Sequence, residues 1–308
     1  LKVTLEGFRE TLPAHIYETE EVSIEMSKAE ELLKYQSLHP RITGNTLADN
    51  TIEDMGMAIL NDPTNYDLQN PLFVQMHFDK ALENKEKQIQ EQNIQVDMSD
   101  FVGFIVSAAK EYTSDQELQE LLIGKGLALG LEIDLAKVEE FYAQEKERMS
   151  TETKDYLAEK INAWNTLKPG NMAPDFLTVD TEGNEVRLSD LRGRYVYIDV
   201  WATWCGPCIQ EIPYLKELDK TYDEEDIVFM SVSIDNTKEP WLQMVEEKEL
   251  AGLQLYIEGA WNSTLMKDYM IGGIPRFMLI DPEGKIISAQ AARPSGNIKA
   301  QIDQLLAS

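Results

Sequence analysis

The stretch Tyr195-Val-Tyr-Ile-Asp-Val-Trp-Ala-Thr-Trp-Cys-Gly-Pro-Cys208 decides the fold. Its first half, through Trp201, is apolar, β-branched and aromatic, and predicts a buried strand. Beyond it, Ile209, Ile212, Leu215 and Leu218 recur at helical spacing. Cys205 and Cys208, the only two cysteines in 308 residues, therefore stand where a strand turns into a helix. Free backbone N–H groups and the positive end of the helix dipole stabilise a thiolate at such a place. Cys205, nearer the solvent-facing end, is expected to be the exposed attacking thiol. Cys208, one turn later, is expected to be buried, close enough to donate a hydrogen bond and then to close a disulfide. Gly206-Pro207 suits a tight helix start.

Cys-x-x-Cys alone also fits half of a zinc site, or a pair of inert buried cysteines. Zinc needs four ligands, and the three histidines (His15, His39, His77) lie far upstream in no ligand spacing. No metal and no cofactor is expected.

Trp204-Cys-Gly-Pro-Cys208 resembles the active-site signature of the thioredoxin superfamily. Asp199, six residues before Cys205, falls on that family's buried carboxylate, and Gly273-Ile-Pro275 before Arg276-Phe-Met-Leu-Ile-Asp281 resembles its cis-proline loop. Pro169-Gly-Asn-Met-Ala-Pro-Asp-Phe176, Leu188-Ser-Asp-Leu-Arg-Gly193 and Asp281-Pro-Glu-Gly-Lys285 are similar to the extracytoplasmic TlpA/ResA branch. The resemblance covers about residues 166–308. It implies a thioredoxin-like α/β domain, a mixed sheet with helices on both faces. It implies a thiol-disulfide oxidoreductase acting as a reductant of protein disulfides outside the cytoplasm, through a redox disulfide Cys205–Cys208. Asp199 would take the Cys208 proton. Trp204, Gly206, Pro207, Ile274 and Pro275 would meet the substrate, the backbone at Ile274 pairing with it as an added strand. Partners would be protein disulfides and a redox protein that supplies or accepts electrons. One position departs from the family: where thioredoxins carry a lysine near the buried aspartate, this chain has Ser231. Two rival readings are a thiol peroxidase, since Ala173-Pro-Asp-Phe176 is shared with peroxiredoxins, and a non-enzymatic partner-binding module on the same scaffold.

The chain is long enough for two domains. The best boundary is Asn165-Thr-Leu-Lys-Pro-Gly-Asn171, giving 1–165 and 166–308. Helical patterns cover 28–37, 46–60, 71–92, 99–110, 115–129, 134–147 and 151–166, with Gly124, Gly126 and Gly130 marking a helix end. Partial alternation over residues 1–26, at Leu1, Val3 and Leu5, then at Ala14 and Ile16, and again at Val22, Ile24 and Met26, predicts a small sheet before these helices. The N-terminal half is thus expected to be a mainly helical accessory domain. Downstream, strands are expected at 227–234, 253–257, 276–281 and 285–290, and helices at 238–250 and 296–307. Residues around 239–262 resemble the insertion typical of the TlpA/ResA branch.

The formal net charge of −27 disfavours nucleic acid and anionic membrane surfaces. No run of 18 apolar residues is present. Because the sequence begins with Leu1, a removed leader or anchor is expected, the one route to membrane contact.

Overall fold

The computed structural model describes residues 5–6, 9, 12–43, 51–62, 66, 68–93, 100–223 and 225–307. The chain forms two compact units, Leu1–Lys160 and Ile161–Ser308.

The first unit is built of helices: α1 (Ala14–Thr43), α2 (Thr51–Leu60), α3 (Pro71–Gln92), α4 (Phe101–Tyr112), α5 (Gln116–Gly130) and α6 (Leu135–Glu145). Helix α7 (Thr151–Thr166) carries the division between the units. Short polar side chains start these helices by accepting the backbone N–H groups that a first turn leaves without partners. Asn70 accepts from Leu72 and Phe73, Asp100 from Gly103, Asp115 from Glu117 and Leu118, and Asp134 from Lys137.

Two expectations fail here. Residues 14–26 are not strands but the first part of α1. Met26 and Ala29 are fully buried one helical turn apart, so the period that matters is helical rather than two. Leu1 and Val3 lie outside the described residues, as do residues 46–50 at the start of the expected helix 46–60. Gly124 and Gly126 do not end a helix; they lie inside α5, and only Gly130 closes it. A Cβ on Gly126 would stand 2.3 Å from Ile105 Cγ2 of α4, and one on Gly130 2.9 Å from Val102 Cγ2. These glycines let two helices approach. His77 is a packing residue, its ring edge-on to Phe73 and its Nδ1 2.8 Å from the Tyr112 hydroxyl.

The second unit holds a seven-stranded sheet. Its strands are β1 (Leu177–Asp180), β2 (Glu185–Arg187), β3 (Tyr195–Trp201), β4 (Ile227–Ser233), β5 (Leu253–Tyr256), β6 (Arg276–Ile280) and β7 (Ile286–Ser288). Their order is β2-β1-β5-β4-β3-β6-β7. β3, β4 and β5 are parallel; the flanking strands are antiparallel. The parallel centre is covered on both faces, which is why β3 and β4 read as nearly unbroken apolar runs. Helix α8 (Gly206–Thr221) follows β3, α9 (Lys238–Glu247) follows β4, α10 (Thr264–Asp268) precedes β6, and α11 (Ile298–Leu306) closes the unit. On one face Tyr197, Phe229 and Phe277 pack with Leu218 of α8, with Tyr222 that caps its end, and with Ile298 and Ile302 of α11. This core fixes the start of α8 against the C-terminal end of β3.

No helix among the described residues is long and apolar enough to cross a membrane.

Candidate active site

The chain leaves β3 at Trp201, turns through Ala202–Trp204 and enters α8. Asp235, buried just beyond β4, holds the turn: its carboxylate accepts from the Thr203 hydroxyl at 2.7 Å and from the Thr203 backbone N–H at 3.1 Å. Ser233 donates to the same carboxylate at 2.7 Å. Cys205 is the N-cap of α8, its sulfur accepting from the Cys208 backbone N–H at 3.2 Å, with Pro207 in the first turn. A sulfur so placed receives the N–H dipoles that favour a thiolate.

Cys205 and Cys208 are joined as a disulfide. Their exposures are 5% and 3%, so burial does not separate them in this oxidised form. The expected exposure of Cys205 belongs to the reduced thiol, whereas here both sulfurs are tied up in the disulfide. The exposed rim consists of Trp204, Gly206 and Pro207. Trp204 is 55% exposed, whereas Trp201 is core. Trp261, 42% exposed in a 3₁₀ turn at Ala260–Asn262, brings its ring centroid to 6.3 Å from that of Trp204. The Ile274–Pro275 peptide is cis, and both residues are half-buried immediately before β6.

Asp199 is buried in the middle of β3, opposite Ser231 on β4 and Phe277 on β6. Ser231 Oγ lies 3.5 Å from Asp199 Oδ2; among the described residues no other side chain hydrogen-bonds this carboxyl, and Oδ1 has no partner. Burial pushes this carboxyl up to about 8; the Ser231 hydroxyl pulls weakly against it and the charge of Glu211 adds to the rise. Glu211, three residues past Cys208 on α8, is itself buried. It accepts from the Ser295 N–H at 3.0 Å and hydroxyl at 2.9 Å, with Arg293 at 3.8 Å.

The structure thus draws Cys205, Cys208, Trp204, Gly206 and Pro207 into one turn. Asp199 lies on the strand that feeds this turn, and Ile274–Pro275 on the loop before the neighbouring strand. Asp235, Glu211 and Trp261 are additions that sequence reasoning missed. Each is an isolated residue whose importance rests on partners far along the chain. The one available signal was the Asp-after-strand pattern at Ser233-Ile-Asp235, which parallels a polar cap at the same level as Thr203.

Comparison with known proteins agrees with this arrangement. Residues 168–306 match the Redoxin family. The chain is 38% identical over 117 residues to thiol-disulfide oxidoreductase ResA of Geobacillus thermodenitrificans, covering 38% of this chain and 66% of that protein. It is 32% identical over 121 residues to ResA of Bacillus cereus, covering 39% and 68%. The chain therefore spans about two thirds of the length of these relatives. Among solved structures, a Bacteroides vulgatus protein provisionally assigned as a thiol-disulfide oxidoreductase is 44% identical. That match covers 46% of this chain and 99% of that one, with a TM-score of 0.43. On the shared sequence, the Cys-x-x-Cys helix start and the sheet that carries it, the chain belongs to the TlpA/ResA-like thiol-disulfide oxidoreductases of the thioredoxin superfamily.

Proposed function

We propose that this chain reduces protein disulfides through the dithiol form of Cys205 and Cys208, outside the cytoplasm. The observation that carries the reading is a Cys-Gly-Pro-Cys pair capping α8, with a protonatable, isolated carboxyl on the strand feeding that helix. The Cys205 thiolate attacks a substrate disulfide. One substrate sulfur bonds to Cys205 and the other leaves as a thiolate, which takes a proton from water. Cys208 then gives its proton to the Asp199 carboxylate. Its sulfur bonds to Cys205, the Cys205–substrate bond breaks, and the second substrate sulfur leaves as a thiolate, which also takes a proton from water. Two electrons pass from the chain to the substrate, and a dithiol partner must restore them.

Trp204, Gly206 and Pro207 form the contact surface, with Ile274 supplying backbone pairing and Pro275 holding that loop. Gly206 and Pro207 are exposed, and open space surrounds a Cβ on either Gly206 or Gly273, leaving room for an approaching chain. Residues 1–165 act as the accessory domain and 166–308 as the catalytic one. The acidic surface favours basic partners.

The test is chemical trapping. Cys208→Ser leaves the attacking thiol without its resolving partner and is expected to accumulate mixed disulfides with an added disulfide peptide. Cys205→Ser should accumulate none. Trapping through Cys208 in the Cys205→Ser protein, or failure of the parent to reduce the peptide at all, would sink the reading.

A further inference from the structure

The sheet register sets three polar residues side by side. Asp199 pairs with Ser231, and Ser231 pairs with Gln254. Side chains directly opposite on neighbouring strands share a face. Asp199, Ser231 and Gln254 therefore form one row across β3, β4 and β5, all buried. A polar row inside a sheet covered on both faces is costly unless its groups find partners. Three groups in this neighbourhood lack one: Asp199 Oδ1, Gln254 Oε1 and Trp201 Nε1.

All three residues line one cavity of about 20 Å³ between the sheet and α8. That volume suits a single water molecule. Two acceptors and one donor match the two protons and a lone pair of one water. Ser231 lines the same cavity, and Lys216 of α8 lines it too. Lys216 is half-buried, with its ammonium donating to the Lys248 carbonyl at 2.7 Å. The Gln254 amide nitrogen is fixed by the Ala251 carbonyl, so its oxygen is the atom left for the water.

We propose that the Asp199–Ser231–Gln254 row holds one water molecule and is the route by which the Asp199 proton leaves for solvent, on the β5 side and not through the cysteine face. This rests on the reading of Asp199 as acceptor of the Cys208 proton. After each cycle the carboxylic acid must shed that proton to act again. The water takes it from Asp199 and passes one on past Lys216, which lines the same cavity, leaving Asp199 as the carboxylate. Ser231 and Gln254 are positioning residues: they hold the water and never touch substrate. The charged and titratable groups facing Asp199 are Glu211, Lys216 and, on that reading, Cys208 from α8, with Tyr197 on its own strand. β4 and β5 offer Ser231 and Gln254, and β6 the apolar Phe277.

The experiment follows resolution of a mixed disulfide on Cys205 in the full chain, as a function of pH. The parent rate should rise with pH as Asp199 becomes a carboxylate. Gln254→Leu removes the amide that holds the water, so its midpoint should move up by about one pH unit through desolvation. Ser231→Ala removes a donor to the carboxylate and should move it in the same direction. Gln254→Asn, which keeps the amide, should return toward the parent. A merely structural residue would lower the rate at every pH and leave the midpoint in place; that result in both Gln254→Leu and Ser231→Ala overturns the route. Asp199→Asn separates the two levels. If it keeps the parent midpoint, the acceptor assignment itself fails. If it flattens the profile while Gln254→Leu moves nothing, only the route fails. Should Gln254→Leu not fold, magnetisation transfer from a bound water to the Trp201 indole N–H of the reduced parent decides, and absence of that transfer overturns the proposal.

Discussion

Asp199 is a carboxyl buried within the sheet, and its cost to the fold depends on pH. The folded state holds it protonated up to about 8, whereas the unfolded chain ionises it near the ordinary carboxylate value of about 4. Its group contribution is fully present below the unfolded value and is lost as pH rises through the folded one. Asp199→Asn should therefore leave stability nearly unchanged at about pH 4 and raise it by roughly 1–3 kcal/mol near pH 9. Urea unfolding of the oxidised parent and variant at the two pH values measures the difference. Equal gains at both would show that the carboxyl is not held protonated. At this scale the sequence was informative where chemistry is local. Cys205, Cys208 and Pro207 lie in one short motif, and Asp199 is an odd residue in an apolar strand. It was silent on Gln254, which reads as an ordinary strand polar residue until the register places it beside Ser231.

Whole elements were legible wherever period and caps agreed. The helices α3 to α7 fall close to their expected spans because each begins at Asn, Asp or Ser/Thr followed by a helical apolar pattern. α1 was misread because its apolar residues are sparse among glutamates, so that two-residue alternation and helical spacing fit nearly equally well. The glycines of α5 were misread for a different reason. Glycine signals a helix end only when nothing packs against it, and here α4 does. That gives a test with an unusual sign. Alanine favours an exposed helix over glycine by about 1 kcal/mol, yet Gly126→Ala should destabilise the protein by about 1–3 kcal/mol through overpacking against Ile105. A midpoint of thermal unfolding that rises in Gly126→Ala would contradict the close approach of α4 and α5.

At the scale of the molecule, every residue assigned a chemical part lies between Asp199 and Pro275, inside the second compact unit. The Redoxin match is likewise confined to residues 168–306. If the first unit serves to select partners, a fragment of residues 161–308 should fold. It should also reduce a small generic disulfide at a rate within about three-fold of the full chain, because thiolate exchange depends on local acidity and access. Loss of that activity in a fragment shown to be folded would mean that the helical unit helps to build the site.

The strand order carries one more implication, for how the domain assembles in time. Hairpin β1–β2 is made early in the chain, yet Val179 and Asp180 pair with Tyr256 and Leu255 of β5. Its seat does not exist until β3, β4 and β5 have come together across two crossovers. Closing so long a loop is an entropic cost that must be met before the contacts reward it. The parallel centre, which carries Asp199 and aims the cysteine helix, can thus form as a nucleus of its own, with the hairpin docking afterwards as a closing clasp.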